Sequence, residues 1–243
     1  MDRLIYLAMS GAKATMQRQE VLAHNLANAS TPGFRAELTA FRSVPVLGDG
    51  ASTRAFTLES TPGYNAAPGP IQHTGRNLDV ALQGNAWLAV QAGDGTEAYT
   101  RSGALERSNE GLLVTSGGLP VLGDGGPINI PANAEVLIAA DGTVTGKSGN
   151  AASQNLGKLK LVSSETPLNR GGDGLFRAAE GDLPADASAR VQDGALEGSN
   201  VSAIETLVAM ISASRQFEHQ MKMLQGAQER DQNAAKLLSS GGG

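Results

Sequence analysis

The chain has no cysteine. That removes structural disulfides, cysteine-ligated zinc and thiol nucleophiles from consideration. Aromatic residues are scarce at 4%, while Gly and Pro number 31 and 10. This composition favours turn-rich β structure with small side chains over a large apolar cleft. Basic charge is also short: the net charge is −5 and the pI about 5.2. A nucleic-acid binder needs clustered Lys and Arg to displace counterions, so that class is excluded. No stretch reaches the ~18 apolar residues of a membrane span. Leu4 to Ala12 is apolar and Ala12-Lys13-Ala14 loosely resembles a processing site. However, Asp2 offsets Arg3, Ser10 and Gly11 weaken the segment, and the helical pattern runs on past the site, so it is not read as a cleaved signal.

Familiar chemical motifs are missing as well. Asp141-Gly-Thr-Val-Thr-Gly-Lys-Ser148 superficially resembles a phosphate-binding loop. It has Asp where the first glycine belongs and no helical pattern follows, so it reads as a hairpin turn. His24, His73 and His219 have no second histidine or carboxylate at metal-ligand spacing, and His219 reads as part of a solvated helix face. No Gly-x-Ser-x-Gly elbow or His-Glu-x-x-His motif occurs. The sequence therefore offers no catalytic residue, no cofactor and no metal site. From residue 200 onward, four acids (Glu205, Glu218, Glu229, Asp231) balance four bases (Arg215, Lys222, Arg230, Lys236). That balance suits helix–helix packing better than a basic membrane-surface helix.

What is present is hydrophobic periodicity at both ends. Ile5, Ala8, Met9, Ala12, Met16, Leu22 and Leu26 fall within an arc of roughly 160° on an N-terminal helix. Pro32 ends that helix near Asn28, and Thr31-Pro32-Gly33 supplies a turn. At the other end, Ser202 and Glu205 fit a capping box. One stripe there is Val201, Ile204, Val208 and Ile211; a second is Met210, Phe217, Met221 and Leu224, with Leu207 between them. Together they cover roughly 220° of the helix, against the ~100° needed to pack on one core. A helix over 203–238 would be about 54 Å long. Within this chain the N-terminal helix is its expected neighbour, and the remaining apolar surface calls for partner molecules. Gly11 either allows close approach of the two helices or is a tolerated weak spot costing about 1 kcal/mol.

Between the helices, Asp-Gly occurs at Asp49, Asp94, Asp124, Asp141, Asp173 and Asp193, a dipeptide suited to tight hairpins. Short runs lie between these turns: Asp79 to Leu82, Ala86 to Val90, Val136 to Ile138 and Lys158 to Val162. They predict an antiparallel sandwich or barrel-like domain. The expected fold class is α+β: long terminal helices pairing in a coiled-coil-like inner domain around a mainly antiparallel β domain. The predicted divisions are 1–28 for the first helix, 29–69 for an extended connector or hairpin, 70–198 for the β domain and 199–243 for the last helix. Ser30-Thr-Pro-Gly-Phe34 and Ser60-Thr-Pro-Gly-Tyr64 are near copies, which repeated use of one turn explains.

Leu22-Ala-His-Asn-Leu-Ala-Asn-Ala-Ser-Thr-Pro-Gly-Phe34 resembles the signature that closes the first helix in the flagellar axial protein family of rod, hook and hook–filament junction proteins. His24 departs from the small polar residue usual there. Met1 to Ala12, Leu78 to Leu82, Gly174 to Arg177 and Gly194 to Val201 extend the resemblance along the chain, most closely to a proximal-rod member. The resemblance implies a non-enzymatic subunit whose terminal helices line a hollow rod crossing the periplasm. It also implies export by the flagellar type III apparatus without signal cleavage, and termini commonly disordered before assembly. Expected partners are other proximal and distal rod subunits, the rod base and the inner-membrane ring, with no nucleic acid and no membrane insertion. The expected assembly residues are Ile5, Met9, Met16, Leu22, Asn25, Leu26, Asn28, Phe34, Val201, Ile204, Leu207, Val208, Ile211, Phe217, Met221 and Leu224. Of these, Ile5, Met9, Met16, Leu22 and Leu26 are assigned to the seam with the last helix. Ile204, Val208 and Ile211 share that seam, and Phe217, Met221 and Leu224 are left for adjacent subunits. Rival readings are a sister rod or hook subunit, an exported β-domain adhesin or glycan binder, and a wall-cleaving enzyme.

Overall fold

Apolar residues at helical spacing occupy the two ends of the chain, and β-forming runs fill the middle. The computed structural model follows that division and describes residues 2–45, 55–59, 63–149 and 152–240. Helix α1 spans Asp2–Ala27 and helix α2 spans Ala203–Ser240. Every strand pairing among the described residues is antiparallel, so the fold is α+β. Neither helix is long and apolar enough in its described residues to cross a membrane.

The chain forms two compact units. The first comprises Met1–Ala29, Ala36–Asn65 and Val201–Gly243, and the second Ser30–Arg35 and Ala66–Asn200. In the first unit, α1 and α2 pack against each other. The end of α1 is set where Asn28 donates its backbone N–H to His24 O at 3.2 Å and its side-chain amide to the same oxygen at 2.9 Å. At the start of α2, Thr206 N–H donates to Ser202 O at 2.9 Å, while Glu205 N–H lies 3.4 Å from Ser202 Oγ. Strands Phe41–Pro45 and Ala55–Glu59 make the long hairpin foreseen as one form of the 29–69 segment. A shorter pair, Glu37–Leu38 with Gly63–Tyr64, closes its base. The Asp49 turn and Ser60 to Pro62 lie outside the described residues.

In the second unit, a five-stranded sheet runs in the order Leu161–Ser163, Ala86–Gln91, Glu97–Thr100, Phe176–Arg177, Asn169–Arg170. Ala86–Val90 is buried throughout, because residues on both sheet faces are covered. Trp87 packs on Phe176 with ring centroids 4.6 Å apart. A three-stranded sheet (Ala134–Ile138, Thr143–Ser148, Gln154–Lys158) contributes Val136, Ile138 and Val144 to the same core as Leu88, Leu105 and Leu113. Asp94-Gly95, Asp124-Gly125 and Asp141-Gly142 turn hairpins, so the phosphate-loop look-alike is a hairpin turn at Asp141-Gly142 running into the strand Thr143–Ser148. Asp193-Gly194 does something else. The strand before it, Val191–Asp193, pairs with Val80–Leu82, whereas the strand after it, Ala195–Glu197, pairs with Ile71–His73.

One expected strand is divided. Lys158 to Val162 reads as a single run, but Gln154–Lys158 belongs to the three-stranded sheet and Leu161–Ser163 to the five-stranded one. Between them, Lys160 N–H bonds to Leu122 O and its carbonyl accepts from Ala89 N–H. The run crosses from one sheet to the other, and both Leu159 and Leu161 stay buried.

Candidate assembly surface

The most buried residues of α1 and α2 are mostly small. Thr206, Ala213, Gln220 and Ala227 recur every seven positions along one face of α2, and Thr206, Ala213 and Ala227 are buried. That spacing keeps one stripe aligned along a helix. On α1, Ala8 and Thr15 are buried at the same interval. A Cβ on Gly11 would lie 2.9 Å from Gln220 Nε2, so the absence of a side chain there admits the glutamine. Thr15 Oγ1 donates to Gly11 O at 2.9 Å and lies 3.1 Å from Gln220 Oε1. A polar group held in a helix seam fixes register at some cost in stability.

The large apolar residues expected in this seam are less buried than these small ones. Met9 and Met16 are 52% and 54% exposed, while Ile5, Leu22 and Leu26 are half-buried. Ile204, Leu207, Val208 and Ile211 are 77%, 46%, 59% and 55% exposed. At 100° per residue Ile204, Val208 and Ile211 point nearly opposite to Ala213 and Gln220. Phe217 and Leu224, assigned to adjacent subunits, are half-buried nearer the seam, and Met221 is exposed at its margin. Small side chains win the seam because they let the helices approach closely, which turns the branched residues outward. The heptad of small residues was readable in the sequence, but an apolar scale gives Thr, Ala and Gln little weight.

Asn25 is 6% exposed, and its side chain acts within the chain. Its amide donates to Glu37 O at 2.9 Å and its oxygen accepts from Glu37 N–H at 2.8 Å. This two-point clamp imitates a strand pairing. His24 Nδ1 lies 2.8 Å from Glu37 Oε2 beside it. Val201, ahead of α2, is half-buried.

Phe34 belongs to the second unit, with the Arg170 guanidinium 4.6 Å from its ring centre. The turn before it forms as expected: Phe34 N–H donates to Thr31 O at 3.2 Å and Gly33 takes φ +71°. A Cβ at Gly33 would sit 2.2 Å from the Arg101 backbone carbon, so only glycine fits. Next to this turn lies a cluster that sequence reading missed. Glu197, 2% exposed, accepts from Arg35 at 2.8 Å on one oxygen and from Arg101 Nε at 2.9 Å on the other. Arg101 also donates to the carbonyls of Leu82, Gly84 and Ala86, and Arg35 to Ala67 O. Isolated Arg and Glu residues give no sequence signal, since only the fold brings positions 35, 101 and 197 together.

Three family models match the chain: "Flagella basal body rod protein" over residues 5–35, "Flagellar hook protein FlgE/F/G D1 domain" over 81–146 and "Flagellar basal body rod FlgEFG protein C-terminal" over 192–237. The flagellar basal-body rod protein FlgF of Salmonella typhimurium is 47% identical over 251 residues, covering 98% of this chain and 99% of that protein. FlgF of Escherichia coli K12 gives the same identity and coverage. The rod protein FlgG of Agrobacterium fabrum is 32% identical over 263 residues, covering 97% of this chain and 99% of that one. With likeness of this extent along its whole length, the chain belongs to the FlgF family of flagellar basal-body rod proteins.

Proposed function

We propose that this rod-family chain is a non-enzymatic structural subunit of the proximal rod, joining its neighbours through outward-facing residues of its two terminal helices. The observation that carries this reading is the apolar face of α2, where Ile204, Leu207, Val208 and Ile211 lie exposed within two turns. Open apolar patches of this kind mark interaction sites. The 47% identity to the FlgF proteins of Salmonella typhimurium and Escherichia coli supports the proximal position, although the FlgG of Agrobacterium fabrum, at 32%, is as similar as the FlgF of Rhizobium meliloti. In this reading the helices pair as a coiled-coil-like inner domain. The partners are proximal and distal rod subunits, with the rod base and inner-membrane ring at one end, and the rod they form transmits torque across the periplasm. The chain travels through the flagellar type III apparatus without losing its N-terminus.

Mass spectrometry of purified hook–basal bodies, before and after stripping outer components, tests the assignment. Recovery with the rod core is expected. A chain found free or on the cell surface would instead favour an adhesin. Ile211→Asp places a charge in the exposed stripe and is expected to abolish motility by blocking rod incorporation, with the β unit still folded by circular dichroism. Normal swimming of that variant would refute the stripe's role.

A further inference from the structure

The helix pair carries two features of opposite charge, the second long enough to hold the first. The first is the α2 stripe, whose side chains from Ile204 to Ile211 span about 10 Å along the axis. Residues 201–214 contain a single ionisable side chain, Glu205. The second is a groove of about 680 Å³ between α1 and the later turns of α2. Gly226, with nothing within 4 Å of its Cβ position, leaves it room for branched side chains, Lys222 and Arg230 add positive charge, and no carboxylate lines it among the described residues. From 219 to 230 it extends about 17 Å along α2, enough for two turns of helix. A stripe and a groove on the same continuous helix cannot meet within one molecule: Ile211 and Met223 are about 18 Å apart along its axis.

Building on the rod assignment, we infer that the Ile204–Ile211 stripe of one copy docks into the groove of a second copy of this chain, with Glu205 drawn toward its lysine and arginine. Different patches meet in such a contact, so each copy keeps one stripe or one groove for the next, and the contact propagates along a helical path.

The absence of native cysteine makes the test direct. Ile211→Cys and Met223→Cys each supply one thiol, and Met223 is 57% exposed. The two variants, carrying different tags, are co-expressed and mild oxidation is applied to purified basal bodies. In parallel, the purified full chains are mixed and oxidised at high concentration. The expected product is a disulfide-linked dimer bearing both tags, at least five-fold more abundant than any dimer from either variant alone. Gly226→Phe, introduced into the Met223→Cys chain, fills the groove without meeting its own chain, since nothing lies within 4 Å of the Cβ position. It should reduce the mixed dimer at least five-fold. Equal dimerisation of Ile211→Cys alone, crosslinking only to another protein, or no mixed dimer in either preparation would overturn the inference. Recovery of both variants with the rod core but without the mixed dimer would refute this docking and leave the rod assignment standing. Loss of the wild-type chain from the rod core would refute that assignment, and the purified chains would then decide the docking alone.

Discussion

Glu197 shares its two oxygens between Arg35 and Arg101, with all three side chains no more than 4% exposed. Removing one member of such a buried cluster leaves uncompensated charge, at a cost of about 3–5 kcal/mol. Glu197→Ala is therefore expected to lower the unfolding free energy of the β unit by at least about 3 kcal/mol, measured as a lower urea midpoint at pH 7. Tyr99 behaves differently. It is 1% exposed, and burial pushes its hydroxyl up from 10.0 to about 12, opposed by the Leu183 N–H it accepts and reinforced by Glu97. The folded state holds this proton more tightly than the unfolded chain. The resulting stability is fully present below pH ~10 and is lost as pH rises through about 12, a difference of about 2–3 kcal/mol at 1.36 kcal/mol per unit. Urea unfolding of the native chain and of Tyr99→Phe should show the gap between them narrowing over that window. A constant gap would mean that the hydroxyl titrates normally.

The two helices divide their residues between a covered and an exposed face. Along α2, the buried Ala213 and the Gln220 that meets Gly11 and Thr15 lie on one arc, while the exposed Ile204 and Ile211 lie on the opposite one, the arc proposed to meet other molecules. Gly11 tests the covered face by side-chain size. The nearest atom to its missing Cβ is the end of the flexible Gln220 side chain, so Gly11→Ala should cost well under 1 kcal/mol, the glutamine shifting to accommodate it and alanine favouring helix. Gly11→Leu has no such outlet and should destabilise the helix pair by about 1–3 kcal/mol, seen as an earlier melt of the 222 nm signal.

Across the whole molecule, segments far apart in sequence are divided between two units, and the Ser30–Arg35 stretch belongs to the β unit although it follows α1 directly. This has a testable consequence. Deletion of residues 2–29 should leave the β unit resistant to limited proteolysis, because its core of Leu88, Leu105, Leu113 and Val144 is untouched. Extending the deletion to 2–35 removes Arg35 from Glu197 and should make the unit markedly more sensitive, with a stability loss of about 3 kcal/mol. Equal resistance of the two truncations would show that Arg35 contributes little.

Local chemistry was legible before any coordinates. Periodicity gave both helices, Pro32 and Gly33 gave the turn after α1, and Asp-Gly dipeptides gave most of the hairpins, because each depends on backbone preferences of a few neighbouring residues. The family signature from Leu22 to Phe34 is likewise continuous and needs no fold to be read. Tertiary structure alone decided which helix face is covered, since apolar periodicity cannot tell a seam of alanine, threonine and glycine from the branched stripe that it turns outward. It also decided that Lys158 to Val162 serves two sheets, and that Arg35, Arg101 and Glu197 meet. Such long-range pairings depend on how segments pack once the chain has closed on itself, and no local pattern of residues encodes that.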